Sequence, residues 1–147
     1  MANIVGLNIG EVYGSHVTQI GTYTFSTYDS TNTYIHLKTN IKNTYGMYMI
    51  EFVGYNYGAS TNIRSAICFH NYPSTLYRVG TESIAPGLTP QTVYFSTDNF
   101  IVIRCYSSIM YFMGFTVNAY KTGPYEDNPP FSISAVAINT NSGTGSF

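Results

Sequence analysis

The stretch "MYMIEFVGYNYG", residues 47–58, decides how the rest of the chain is read. It holds four aromatic residues, two methionines, two glycines and one charge, Glu51. Two glycines among so many aromatics suit a strand better than a helix interior. In a strand, alternate side chains point to opposite faces. Tyr48, Ile50, Phe52 and Gly54 then share one face, the better core face. Met47, Met49, Glu51, Val53, Tyr55 and Tyr57 share the other, which suits a surface covered by a second sheet or a second subunit.

Outward from this stretch the same pattern repeats. Short runs of Tyr, Phe, Ile, Val and Thr are broken by Gly, Pro, Asn, Asp and Ser, and no sustained 3.6-residue period appears. Strands are predicted over residues 18–25, 33–41, 46–57 and 62–70, with shorter ones at 75–80 and 91–95. Further strands are predicted at 99–106, 109–120 and 130–138. Residues 46–57 and 62–70 form one long pair, and residues 99–106 and 109–120 a second that turns at Ser107-Ser108. All six prolines, Pro73, Pro86, Pro90, Pro124, Pro129 and Pro130, fall outside the strongest runs, as a donor-less residue requires. The fold class is all-β, an antiparallel β-sandwich of jelly-roll type.

The late strand is apolar on both faces too, with Tyr111, Met113, Phe115, Val117 and Ala119 opposite Phe112, Gly114, Thr116, Asn118 and Tyr120. An isolated sandwich normally alternates. Two-sided apolarity therefore predicts a homo-oligomer whose interface holds Met47, Met49, Val53, Tyr55, Tyr57, Tyr111, Met113 and Phe115. Only 9% of the 147 residues are charged and the formal net charge is −1. A surface so poor in charge associates readily. Three regions follow: an extended N-terminal arm over residues 1–17, the sandwich over 18–138 and a flexible tail over 139–147.

Composition also excludes partners. The basic residues Lys38, Lys42, Arg64, Arg78, Arg104 and Lys121 are scattered, so a nucleic-acid partner is not expected. No apolar run has the length of a membrane helix, and no membrane insertion is expected. The N-terminus lacks the basic flank and long apolar segment of a signal peptide. Cys68 and Cys105 sit in apolar runs and read as buried free thiols, with a cross-strand disulfide as the alternative.

No catalytic constellation is present, and the chain reads as a non-enzyme. His16, His36 and His70 show no metal-ligand spacing, so no metal and no cofactor are expected. His36, between Ile35 and Leu37, reads as a satisfied structural histidine. No GxSxG elbow and no phosphate-cradling glycine loop occurs. Glu126 and Asp127 read as a solvated turn, and Asp98 and Asn99 lack the spaced acids of a calcium loop. Glu51 and Arg104 each sit mid-strand among apolar residues and are expected to pair, since buried charges need partners. What remains is surface. Fifteen tyrosines exceed what one core uses, and a tyrosine ring suits both protein interfaces and sugar faces. Those in turns, Tyr28, Tyr72, Tyr77, Tyr94, Tyr106 and Tyr125, are the candidate exposed rings, and Tyr28, Tyr72, Tyr77 and Tyr125 are the candidate ligand or partner contacts.

Tyr34, His36, Lys38 and Thr39 in one strand, Gly54, Tyr55, Tyr57 and Gly58 at the end of the next, and Asn118-Ala119-Tyr120 closing an aromatic strand together form a recognisable set. The set resembles a module of tailed-bacteriophage structural proteins, in particular the C-terminal tail-fibre and receptor-binding domains of aquatic phages. The resemblance spans about residues 33–121. It implies a non-enzymatic virion component, displayed on the particle exterior and assembled in the bacterial host cytoplasm. That component is either a capsid cement or decoration protein or a tail-fibre-type module; the alternative is a carbohydrate-binding tail tip that mediates host attachment. The implied partners are sister copies, a phage capsid or tail protein, and a host-surface glycan. With about 30 residues ahead of the module, a free-standing copy is expected rather than the end of a long shaft. The resemblance carries no catalytic or receptor-contact residue with it.

Overall fold

The computed structural model describes residues 16–25, 28–122 and 132–147, with side chains over 28–121 and 132–147. Nine strands are present among the described residues. They are β1 (His16–Phe25), β2 (Tyr34–Lys42), β3 (Gly46–Asn56), β4 (Thr61–Tyr72), β5 (Thr75–Pro86), β6 (Thr89–Phe95), β7 (Phe100–Tyr106), β8 (Met113–Thr122) and β9 (Ile133–Asn139). They form two sheets, β9-β2-β7-β6 and β1-β8-β3-β4-β5. Every pairing is antiparallel. The sheets pack face to face, and the expected all-β sandwich is the fold.

The core lies between the sheets and follows the alternation. Tyr48, Ile50 and Phe52 point inward from β3 and Ile63, Ile67 and Phe69 from β4. Ile35, Leu37 and Ile41 from β2 and Ile101, Ile103 and Cys105 from β7 meet them across the gap. Burying each of these side chains is worth about 1.5–3 kcal/mol relative to leaving it exposed. Gly54 occupies the inward position where β3 passes β8. A Cβ there would stand 2.6 Å from Phe115 Cα, so only glycine lets the two strands approach this closely.

The chain closes itself over long range. β9 pairs with β2 and β8 with β3, while β3-β4-β5 is a plain meander. Pro86 and Pro90 sit in β5 and β6. Both are edge strands, so neither removes a bond from the sheet interior. The second predicted hairpin does not form: β7 pairs with β2 and β6, whereas β8 pairs with β1 and β3. Residues 107–112 carry the chain from one sheet to the other. β5 is also longer than predicted, running twelve residues to Pro86. Two register shifts against β4 break its alternation.

Two further expectations are corrected. Glu51 and Arg104 lie in different sheets. Glu51 Oε1 instead accepts from Asn118 Nδ2 and Tyr120 OH, both at 3.2 Å. Arg104 donates to the Ser142 and Gly143 carbonyls and to Gln91 Oε1. Cys105 is buried and free, but Cys68 is exposed and free, because it points out of the sheet rather than into it.

Residues 139–147, expected as a flexible tail, fold back across the outer face of the four-stranded sheet. Their polar side chains build the turn: Asn139 Nδ2 and Asn141 Nδ2 donate to Ser146 Oγ, and Gly143 N donates to Asn141 Oδ1. His36 lies beneath, 0% exposed although it points away from the core. Its Nε2 donates to the Asn141 carbonyl at 3.0 Å. That bond fixes the tautomer, so Nδ1 accepts from Tyr94 OH at 2.9 Å. Burial first of all holds the His36 pKa below its usual value, with Arg104 adding to the effect. His36 is thus a satisfied structural residue. The arm expected over residues 1–17 lies outside the described residues up to position 15, and His16 and Val17 open β1.

Candidate functional site

The predicted interface residues separate into two groups. Met47, Met49, Val53, Tyr55 and Tyr57 do lie on the outer face of the five-stranded sheet or just past its edge, the first two half-buried and the last three exposed. Met113 and Phe115 do not. Both are buried in the core between the sheets. β8 alternates in the ordinary way, with Met113, Phe115, Val117 and Ala119 inward, and the opposite side carries the polar Thr116 and Asn118. Tyr111 precedes the strand, half-buried in the crossover.

That crossover builds the most exposed aromatic group among the described residues. Tyr28 and Tyr111 meet with ring centroids 5.6 Å apart, Tyr57 and Tyr111 at 5.7 Å, Tyr57 and Phe112 at 6.0 Å, and Tyr111 and Phe112 at 4.7 Å. Tyr28 is 63% exposed, and Tyr57 and Phe112 are each 53% exposed. Phe112 has a φ of 45°, in the left-handed region, which costs a bulky residue roughly 1 kcal/mol or more.

Three devices hold these rings. Asn56, fully buried at the end of β3, donates from Nδ2 toward the Gly87 carbonyl, Ser107 Oγ and the Ile109 carbonyl at 2.8–3.0 Å. Gly58 N donates to the Tyr111 carbonyl at 2.9 Å, and a Cβ on Gly58 would come within 2.9 Å of Tyr111 Cβ. Asp29 and Met110 exchange backbone hydrogen bonds of 2.8 Å, which seats Tyr28 beside Tyr111. The Asp29 carboxylate accepts from the Asn32 and Thr31 backbone amides, and these bonds lower its pKa. Asn56 and Phe112 were not among the residues singled out as candidate contacts, although the two-sided apolarity of the run around Phe112 was the available signal.

A second aromatic group stands at the far end of β3. Tyr45 and Tyr72 meet edge-on at 4.9 Å, and Tyr77 and His70 complete the cluster at about 6 Å. Beside it a hollow of about 340 Å³ opens on the outer sheet face, lined by Met47, Met49, Cys68, His70 and Arg78. Of the candidate contacts, Tyr28 therefore belongs to one end and Tyr72 and Tyr77 to the other, while Tyr125 lies outside the described residues. Tyr94 is buried under the C-terminal segment instead of exposed, and burial raises its pKa. Tyr106 stays at the surface, its ring 5.5 Å from Tyr34.

Among the described residues no group of three or more His, Cys, Asp or Glu side chains is close enough to hold a metal ion. His36 and His70 lie in different sheets. Asp98 pairs with Lys38 at 2.6 Å and accepts from Ser96 Oγ at 2.6 Å. No described helix is long and apolar enough to cross a membrane.

No family model matches the chain, and no curated protein sequence matches it. Among solved structures, the crystal structure of the Acinetobacter phage vB_ApiP_P1 tailspike protein is similar with a TM-score of 0.36 and 11% identity. The match covers 91% of this chain and 24% of the tailspike. The chain spans about a quarter of that protein's length, and a likeness this weak carries no argument about role.

Proposed function

We propose that this chain is a non-catalytic, tail-fibre-type module of a tailed-phage virion that works by binding at its exposed aromatic end. The observation that carries this is the Tyr28, Tyr57, Tyr111 and Phe112 group, three of whose rings are more than half exposed. Water is a poor solvent for such a group, and exposed clustered aromatics mark contact sites. The sequence resemblance supplies the virion context, and its Gly54-Tyr55-x-Tyr57-Gly58 element forms one wall of the group. The target of the rings is a host-surface glycan, since aromatic faces stack on sugar C–H groups while the tyrosine hydroxyls hydrogen-bond.

Self-association, as a trimer, belongs to the same proposal, because Val53 and Tyr55 stand uncovered beside Tyr57 within a single chain. No feature of the described residues favours the capsid-decoration branch.

The test is binding to an array of bacterial surface polysaccharides. The native chain is expected to bind, and a Tyr57→Ser/Phe112→Asn double variant with unchanged circular dichroism is expected to lose at least about tenfold in affinity. No binding by the native chain, or equal binding by the variant, overturns the glycan reading. Light scattering that shows a monomer at micromolar concentration removes the self-association.

A further inference from the structure

The far end of β3 carries a second hollow, polar where the one beside Met47 is apolar. It has a volume of about 320 Å³ and lies between the β2–β3 turn and the β6–β7 turn. Lys42, Asn43 and Thr44 form one side, and Asp98, Asn99 and Phe100 the other. Hydrogen bonds tie the two turns together. Asn43 N donates to the Asn99 carbonyl at 2.9 Å, and Asn99 N to the Ser96 carbonyl at 2.9 Å. Phe100 N donates to Ser96 Oγ at 2.9 Å. Lys42 pairs with Phe100 at the end of the β2–β7 ladder. From the five-stranded sheet, Asn71 Nδ2 donates to the Lys42 carbonyl at 2.6 Å. In the turn after β4, Ser74 N donates to Asn43 Oδ1 at 2.6 Å. The walls of the hollow are thus fixed from both sheets.

The polar groups left over in this hollow are donors. Asn43 Oδ1 takes the Ser74 amide, and Asn99 Oδ1 faces Asn43 Nδ2 at 3.4 Å. The Asp98 carboxylate accepts from Lys38 Nζ and Ser96 Oγ, both at 2.6 Å, so its charge is already balanced. The Lys42 ammonium and Asn99 Nδ2 have no partner among the described residues. The Thr44 hydroxyl, buried in the wall, has none either. A surface lysine alone is ordinary. A lysine and a free amide converging on one hollow, with the nearby acceptors taken, suit a ligand rich in acceptors and negatively charged. Size narrows the class. A volume of about 320 Å³ stands at the lower end of small-molecule pockets, about 300–1,000 Å³. One six-membered ring fits, whereas an inorganic anion leaves most of the space empty. Half-buried Phe100 adds an apolar wall for the C–H face of a sugar.

We infer that this hollow binds an acidic sugar, a hexuronate unit of a surface polysaccharide, with Lys42 and Asn99 holding the carboxylate and Phe100 the ring. The choice of a sugar as carrier rests on the glycan reading above; the preference for an anion does not. Tyr45 follows Thr44 directly, is 38% exposed and meets Tyr72 edge-on at 4.9 Å. It offers an aromatic face to the next sugar of a chain. The hollow and the Tyr57–Phe112 group stand at opposite ends of β3. Gly46 and Asn56 are ten residues apart, about 33 Å at the rise of a strand. One long polymer therefore meets two separate contacts on a single chain, which raises avidity without a new contact at either.

NMR titration of the full-length chain with methyl β-D-glucuronide tests the inference. Methyl β-D-glucoside, sodium acetate and inorganic phosphate are the other arms. The glucuronide is expected to shift the Asn43 and Asn99 backbone amides saturably, at least about tenfold more tightly than each of the others. No shift, or equal affinity for the glucoside, overturns the inference, because the carboxylate is then not read. Equal affinity for acetate or phosphate overturns it too, because the site then has no place for a sugar. Lys42→Ala/Asn99→Gly is expected to lose at least about tenfold in glucuronide affinity with unchanged circular dichroism. Glycine accepts the φ of 66° found at Asn99. Lys42→Glu, which leaves the bonds between the turns in place, is expected to lose as much, and unchanged affinity in that variant overturns the inference. The Tyr57→Ser/Phe112→Asn variant separates this site from the aromatic end. It is expected to bind the glucuronide as the native chain does; a matching loss would move the sugar to the aromatic end and overturn the second site. Glucuronide binding by a chain that fails on the polysaccharide array leaves this site standing while the reading of the aromatic end falls.

Discussion

Outward-pointing residues meet opposite fates in the two sheets of this sandwich. On the four-stranded sheet, His36 and Val102 point away from the core and are nevertheless 0% exposed, and Tyr94 beside them is buried as well. On the five-stranded sheet, Val53 and Tyr55 also point away from the core and are 37% and 48% exposed. Strand alternation is the same in both. The difference is a lid: nine residues at the C-terminus cross one sheet, held through the Asn141 and Ser142 carbonyls and the Phe147 backbone. Apolar residues on two faces of a strand therefore do not by themselves signal a partner chain, because a few residues of the same chain can serve.

The comparison breaks most visibly at two valines. Val102→Ala removes methyl groups from a closed space between Lys38 of β2 and Tyr94 of β6. It is expected to cost about 2 kcal/mol in denaturant unfolding. Val53→Ala on the open face is expected to stay within about 0.5 kcal/mol. Equal losses at both sites would mean that the lid contributes no packing.

Acid sharpens the contrast next. Burial lowers the pKa of His36 in the folded chain below 6.5, its ordinary value. The unfolded chain then binds the proton more tightly, so stability is full above pH 6.5 and falls as pH drops toward the folded value. Melting temperatures taken from pH 7.5 down to 5 are expected to decline, and His36→Asn is expected to flatten that slope. Hydrogen exchange of residues 139–147 should accelerate over the same range. A slope identical in the variant would detach His36 from the lid.

The smallest effect belongs to Lys38 and Asp98, whose ion pair of 2.6 Å is open to solvent on the Asp98 side. The hydrogen bond from Lys38 lowers the Asp98 pKa, so this contribution is present above about pH 4 and lost as pH falls through the lowered value. Lys38→Ala is expected to lower stability less than Val102→Ala does, and less again in 1 M salt. A larger loss would assign Lys38 to packing against the Phe100 and Phe147 rings, which lie 5.5 and 5.8 Å from its ammonium.

Much of the fold was legible where period-2 alternation is local. The core face of β3 was read correctly from Tyr48, Ile50 and Phe52, and most strand boundaries fall within two residues. Long-range pairing was not legible. Ser107-Ser108 looks like a tight hairpin turn, yet Ser107 is buried, its hydroxyl donates to the Ile109 carbonyl, and the chain changes sheets there. No local signal distinguishes those outcomes, and a contact that holds the crossover, from Asn56 Nδ2 to Ser107 Oγ, comes from 51 residues away. The polar C-terminus read as flexible, since the bonds of Asn139 and Asn141 to Ser146 exist only once the turn has formed. For the candidate site, the tyrosine surplus was visible, but the grouping of Tyr28 with Tyr57 and Tyr111 depends on the Asp29–Met110 bridge.

Phe112 gives the aromatic end a property that composition alone would not. Its outward direction is set by a backbone torsion, and Tyr57 and Tyr111 flank its ring. A molecule arriving at that end meets rings already in place, so little rotational freedom remains to be frozen on contact.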